Sequence, residues 1–287
     1  MNNLHYINNI NNYKTIYTGK VRTVKEINKN LLLLTTTNKL SAFDKYICDI
    51  NDKGTLLNNI SSWWFKNTSH IIPNHYIFHN NEHMIVKKTQ PIKLEFVIRA
   101  YITGSTNTSL WTAYNNGIRD IYDIKLRDGY KKNQKLDNII ITPTTKEISD
   151  KPINKNTIIS ENYLTEQEYN FICNKSLELF KYSQLILLNK GLILVDTKYE
   201  FGRLDNDIIL IDELHTCDSS RLWLVNSYND LFLNNKEPEK IDKDIIRDWV
   251  KTQCNPYIDT IPSIPQDLIL KTQNIYQYYN SLLHNSF

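Results

Sequence analysis

An α+β fold in two regions is what this sequence predicts. Three observations point there. The first ninety residues read mostly as short strands, the remainder mixes strands with helices, and strand and helix never alternate in the βαβ rhythm of a doubly wound sheet. At 287 residues the chain has room for one large domain or two modest ones. Its 41% hydrophobic and 23% charged residues exclude wholesale disorder, and seven Gly with eight Pro exclude a collagen-like or linker-rich design.

Residues 13–17, 21–27, 31–37 and 46–50 are rich in β-branched and aromatic side chains and are broken by Gly, Asn and Asp, so they are read as strands. A helix interrupts them at 55–69, with Leu56, Ile60, Trp63 and Trp64 on one face and Pro73 past its end. Two more strand-like runs, 75–78 and 83–87, lead to Thr89-Gln90-Pro91, the expected hinge. The expected division is therefore residues 1–90 and residues 91–287. A strand at 94–102 follows, then a short helix with Leu110, Trp111 and Tyr114 that stops at Gly117. Residues 118–160 are polar and irregular, too long for an idle loop, and are expected to serve function. The strongest helix, 165–189, opens on a Thr165/Glu168 capping box and closes before Gly191. Strands at 192–201 and 208–213, joined by an Asp/Asn turn, precede two helices, one from Asp242 and one after Pro265.

Lys and Arg number 34 against 31 Asp and Glu, and no basic run stands out, which argues against a nucleic-acid partner. Anion binding must come from local placement of charge. Cys48, Cys173, Cys217 and Cys254 form no CxxC pair and are read as reduced thiols. The opening residues lack a signal-peptide pattern, and no apolar run approaches the roughly 18 residues of a membrane span. A cytoplasmic globular protein with no membrane partner is expected. His75, His79 and His83 are four apart, but in strand and turn sequence, so they do not share a helical face for a metal.

The most informative stretch is LILVDTKYEFG, residues 192–202. Side chains alternate along a strand, so Asp196, Lys198 and Glu200 share one face. The next strand, IILIDEL, repeats the change from apolar to acidic, and a hairpin would bring Glu200 near Asp212. Two carboxylates beside a lysine suit Mg²⁺ bridging nucleotide phosphates, because that ion takes one or two carboxylates and keeps positions for phosphate and water. A structural charge network at a sheet end is the alternative. Downstream, Asp218-Ser219-Ser220-Arg221 places two hydroxyls and a guanidinium fork in one turn, equipment for a phosphate or simply a surface turn. Arg99 stands in EFVIRAYITGS with apolar residues on both sides and needs an anionic partner if buried. Either Arg99 and Ser105 hold a ligand anion, or Arg99 pairs with Glu95. Gly19, Lys20 and Arg22, between two strands, either cover phosphates or form a plain hairpin turn; the segment matches neither common phosphate-loop motif.

Taken together, these segments resemble the SAICAR synthetase family. The resemblance runs from about Tyr17 to Trp249 through YTGKVR, KLSAFD, DKGTLLNNIS, IPNH, PIKLEFVIRAYITGS, TPTTK, LILVDTKYEFG and IDELHTCDSSRLW, in the family's order. It implies an α+β fold of the SAICAR synthase type, with a β-rich nucleotide-binding lobe similar to that of kinases, a second mixed α/β lobe and an active site in the cleft between them. It also implies a C–N ligase of purine biosynthesis. ATP phosphorylates the carboxylate of carboxyaminoimidazole ribonucleotide (CAIR), and L-aspartate displaces the phosphate to give SAICAR. By the same resemblance Gly19, Lys20, Arg22, Val86 and Lys87 bind ATP, while Glu200 and Asp212 hold Mg²⁺. Lys198 faces the transferred phosphoryl group and carboxylate, Asp196 serves the ribonucleotide side and Asp150 acts at the imidazole, these three being the implied catalytic residues; Arg99, Ser105, Ser220 and Arg221 bind the CAIR phosphate. Two departures stand out: Lys93-Leu94 where the family has Pro-Val, and Ser149 where it has His before the aspartate. A small-molecule kinase of related fold is the competing expectation; it would use the same charged set but need no aspartate.

Overall fold

The computed structural model describes residues 3–146 and 151–284. It divides into two compact units, one of Met1–Gln90, Glu213–Asp218 and Ile241–Phe287, the other of Pro91–Asp212 and Ser219–Lys240.

The first unit opens with helix α1 (Asn3–Asn8) and strands β1 (Lys14–Thr18), β2 (Arg22–Asn28), β3 (Leu31–Thr36), β4 (Lys39–Ala42) and β5 (Lys45–Asp49). Helix α2 (Lys53–Thr68), β6 (Tyr76–Asn80) and β7 (His83–Lys87) follow. Five strands form an antiparallel sheet in the order β1-β2-β3-β7-β6. Leu33 of β3 and Ile85 of β7 are directly paired and fully buried, which fixes these strands in the sheet's interior. Strands β4 and β5 make a separate hairpin whose two loop residues, Phe43 and Asp44, are both left-handed. That turn has the twist that antiparallel strands require.

The second unit contains β8 (Gln90–Ile102), α3 (Leu110–Asn115), β9 (Asp120–Ile121), β10 (Ile124–Lys125) and β11 (Gln134–Thr145). Then come α4 (Lys155–Ser160), α5 (Glu166–Asn189), β12 (Leu192–Leu204), β13 (Asp207–Ile211), β14 (Ser220–Leu224) and α6 (Val225–Leu233). Its main sheet runs β11-β8-β12-β13, and β14 pairs with the first half of β12. Helix α5 begins with the capping box read from the sequence: Glu168 N–H donates to Thr165 Oγ1 at 3.2 Å, and Thr165 N–H donates to Glu168 Oε2 at 2.7 Å. Two helices, α7 (Asp244–Gln253) and α8 (Gln266–His284), complete the first unit. Thr272, Tyr276, Tyr279 and Leu283 form the buried stripe of α8 at helical spacing.

Two expectations need correction. The described residues of 118–160 are not an irregular segment. They hold the β9–β10 hairpin, a twelve-residue strand and a helix, because Leu136, Ile140 and Thr142 turn buried side chains to one face of the strand that pairs with β8. Pro143 is tolerated there because β11 lies at the sheet edge. The division at residues 1–90 and 91–287 also differs from the structure. Residues 213–218 and 241–287 belong with the first ninety, since Ile246, Val250 and Ile264 complete the apolar cluster around Leu40 and Ile50. Among the described residues no helix is long and apolar enough to cross a membrane.

Candidate active site

Strand β12 enters its sheet as an apolar run in which Leu192, Leu194 and Val195 are buried. The charges that follow are carried into the same interior position, and Asp196 and Glu200 remain only 4% and 5% exposed. Burial of that kind requires partners, and the neighbouring strands supply them. Lys198 Nζ lies 2.9 Å from Glu200 Oε1, 3.0 Å from Glu95 Oε1 on β8, and 3.9 Å from Asp212 Oδ2 just past β13. Lys146, one residue past β11, also pairs with Glu200 and lies 3.9 Å from Glu95. The β12–β13 register, Glu200 opposite Ile211, is what sets Asp212 beside this group.

Three carboxylates thus face two ammonium groups, leaving excess negative charge. Burial by itself would depress the Lys198 ammonium, but Glu200, Glu95 and Asp212 outweigh it and hold its pKa well above the usual value. Lys146 is raised for the same reason, with Glu200 and Asp212 overcoming its burial. Burial and the Asp212 charge push the Glu200 carboxyl upward, against Lys198 and Lys146. Among the described residues no three metal-binding side chains converge into a cage. Two carboxylates, Glu200 and Asp212, in surplus negative charge instead suit Mg²⁺, which completes its shell with water and substrate phosphate.

A second charged system lies on the same strand. Asp196 Oδ2 accepts from Arg221 Nη1 of β14 at 2.6 Å and lies 3.5 Å from Arg99 Nη1 of β8. Arg99 also donates through Nε to Thr142 Oγ1 at 2.9 Å. Arg99 is therefore paired with Asp196 and not with Glu95. Four residues along a strand span roughly 13 Å, beyond the reach of an ion pair. Burial draws the Arg99 pKa down, Arg221 adds to this, and Asp196 opposes it. One carboxylate shared by two guanidinium groups leaves a net positive site. Ser220 Oγ is 2.7 Å from Thr197 Oγ1, which seats the start of β14 against β12. Ser105 lies in the loop after β8, its hydroxyl shielded from solvent.

In the first unit, Gly19 and Lys20 occupy the turn between β1 and β2, where Gly19 N–H donates to Arg22 O at 2.8 Å. A side chain at Gly19 would meet the exposed Tyr17 ring at 2.9 Å and Arg22 O at 3.3 Å, so it would displace that ring from over the turn. Lys20 Nζ reaches Asp44 Oδ1 of the β4–β5 turn at 2.6 Å, joining the YTGKVR and KLSAFD segments, and both side chains are exposed. Arg22 Nη2 lies 3.7 Å from Glu213 Oε2. Val86 is buried mid-sheet between Leu32 and Tyr76, while the adjacent Lys87 is exposed and its N–H donates to His75 O. Asp150 and Ser149 lie outside the described residues.

Sequence reasoning missed Glu95 and Lys146 as members of the Lys198 cluster, and Thr142 as a partner of Arg99. The signal for Lys146 was the TPTTK segment, whose lysine follows a strand; its partner emerges only from the β11–β8–β12 pairing.

A family model described as SAICAR synthetase matches residues 15–264. Among similar curated proteins, the phosphoribosylaminoimidazole-succinocarboxamide synthase of Legionella pneumophila (strain Lens) is 45% identical over 276 residues, covering 94% of this chain and 88% of that one. The chloroplastic protein of the same name from Arabidopsis thaliana is 47% identical over 255 residues, 88% of this chain and 62% of the other. Among solved structures, a SAICAR-synthase from Saccharomyces cerevisiae complexed with SAICAR superposes with a TM-score of 0.81 at 28% identity, covering 96% of this chain and 95% of that chain.

Proposed function

Because the chain belongs to the SAICAR synthetase family, and so performs the ATP-dependent joining of L-aspartate to CAIR, we propose that the Asp196–Lys198–Glu200 face of β12 is its reaction centre. The observation that carries this is the pairing of two charged systems on one strand face: a net positive site around Arg99 and Arg221, and a carboxylate-rich site around Lys198. The first suits the dianionic phosphate of a ribonucleotide and the second a metal-bound polyphosphate.

Arg99, Arg221, Ser220 and Ser105 hold the CAIR phosphate, and Asp196 keeps both guanidinium groups aimed at it. Gly19, Lys20 and Arg22 cover the ATP phosphates, with Val86 and Lys87 on the adenine side. Glu200 and Asp212 hold Mg²⁺, which when bound neutralises phosphate charge. A free carboxylate is a poor electrophile, so activation comes first. A CAIR carboxylate oxygen attacks the γ-phosphorus and ADP departs with the bonding electron pair. Lys198, kept protonated by its three acidic neighbours, offsets the charge of the transferred group in a buried setting where such compensation is strongest. The aspartate amine then attacks the acyl carbon, phosphate leaves with the C–O electron pair, and the amine gives up a proton. Asp150 keeps its proposed place at the imidazole.

The test is ADP release with ATP, Mg²⁺ and CAIR, with and without L-aspartate, with product mass checked. Release that requires both substrates and yields SAICAR is expected; release with CAIR alone would mark a kinase-like enzyme. In the same assay Glu200→Gln and Asp212→Asn should each lower turnover on the order of 100-fold or more, with unchanged far-UV circular dichroism. A fully active variant at either position sinks the metal assignment.

A further inference from the structure

Residues 213–218 connect Asp212, beyond β13, to Ser219 and Ser220 at the start of β14, yet they belong to the first unit, where they are fastened at nearly every residue. Leu214 N–H donates to Ser61 Oγ at 2.9 Å, and Cys217 O accepts from Lys243 N–H at 3.2 Å. His215 O accepts from Tyr279 Oη at 3.0 Å, and that hydroxyl accepts from Trp64 Nε1 at 3.0 Å. At the end of the segment, Asp218 Oδ2 is 2.7 Å from Lys53 Nζ and Oδ1 accepts from Tyr276 Oη at 2.7 Å. Lys53, Tyr276 and Tyr279 are all fully buried. Asp212 and His215 are held in left-handed backbone with φ of 67° and 48°, conformations that persist in non-glycine residues only where the surroundings over-determine them.

A buried ion pair is a poor way to gain stability, because desolvation offsets most of the Coulombic attraction. It is a good way to fix direction. Asp218 meets an ammonium and a phenol on its two oxygens, so its backbone has little freedom, and the next three residues are Ser219, Ser220 and Arg221. Ser219 O accepts from Lys198 N–H at 3.1 Å, and Arg221 meets Asp196 at 2.6 Å. We propose that helix α8 is a positioning element for the phosphate-binding turn, acting through Tyr276 on Asp218. Tyr276 is the positioning residue, and the claim rests on the reading that Ser220 and Arg221 bind the CAIR phosphate.

Steady-state kinetics with thermal unfolding test this. Tyr276→Phe keeps the ring and removes the hydroxyl. It should raise KM for CAIR roughly tenfold, the lower end for losing a hydrogen bond to a charged group, with KM for ATP within about twofold of the parent. The comparator is Thr272→Val. Thr272 is fully buried in the same helix, and its hydroxyl donates to Leu268 O within α8. Its loss should lower the unfolding temperature and leave KM for CAIR unchanged. If both variants move KM for CAIR alike, or Tyr276→Phe does not move it, α8 is a brace and the proposal falls. Arg221→Ala separates the two levels. A parent-like KM for CAIR in that variant overturns the phosphate-site reading and this proposal with it. A large increase in Arg221→Ala beside an unchanged Tyr276→Phe overturns the positioning role alone.

Discussion

Gly104 shows how narrow the tolerances are around the two arginines. Its φ of 103° is one that side chains rarely adopt, and an added Cβ would lie 2.5 Å from Ser109 Cβ and 3.2 Å from Arg221 Nη2. Gly104→Ala should therefore cost about 1–3 kcal/mol of stability and raise KM for CAIR, both readable from urea unfolding and steady-state kinetics; a variant with parent values of both would show that the loop relaxes freely. At this scale the sequence was legible wherever charge broke an apolar pattern. Asp196, Lys198, Glu200 and Asp212 stand out because they follow hydrophobic strands, and Arg99 because apolar residues surround it. Glu95 and Lys146 were illegible, since their meaning depends on which strands lie beside β12. Lys53 was hidden differently. A lysine at a helix start reads as solvated, and only the fold reveals it as the fully buried partner of Asp218.

Elements were most legible where local chemistry dictates them. The Thr165/Glu168 capping box marks the first turn of α5 without help from tertiary packing, and helix α5 then packs along β12. Thr165→Ala should cost about 1 kcal/mol of stability, seen as a lower urea midpoint with KM values unchanged. No loss of stability would show that Glu168, through its contact with Arg203 at 2.8 Å, holds the helix start alone. Strand β11 was missed because its polar stretch disguises it. Pairing with β8 is interrupted between Lys135 and Ile140, so Asp137 and Asn138 read as loop within what is one strand. Residues 212 and 213 were likewise read as the end of a strand. The ladder stops at Ile211, and the left-handed Asp212 turns the chain away.

For the molecule as a whole, buried neutral histidines set the response to acid. His215 is fully buried against the Trp64 ring at 4.7 Å, and burial pushes its pKa down to about 3. Burial likewise draws half-buried His79 down to about 4, helped by Lys66. Between pH 6.5 and these values the unfolded chain takes up protons that the folded chain refuses, so stability falls as pH drops through that window. The slope for His215 approaches about 1.4 kcal/mol per pH unit. Asp218, held well below its usual range by Lys53 and Lys243 despite burial, adds stability that is lost only as pH falls below the ordinary carboxylate range. The gap between urea midpoints at pH 7 and pH 4.5 should narrow in His215→Asn, a residue that accepts left-handed backbone, with His79 accounting for the part that stays. Parallel pH dependence in variant and parent would remove His215 as the cause. The two-region organisation was legible from composition, but which region claims residues 241–284 was not, because an apolar helix face does not announce its partner.

That discontinuity has a consequence for how the protein is made. Residues 1–90 leave the ribosome before residues 241–284, and cannot complete their core until Ile246, Val250 and the buried stripe of α8 have emerged. At translation rates of roughly 5–20 residues per second, the intervening stretch keeps them waiting on the order of ten seconds. The second unit, synthesised in the interval, holds all of its sequence before the first is whole. The nascent sheet and β4–β5 hairpin, with Leu40 and Ile50 still uncovered, are the species on which chaperones would be expected to act.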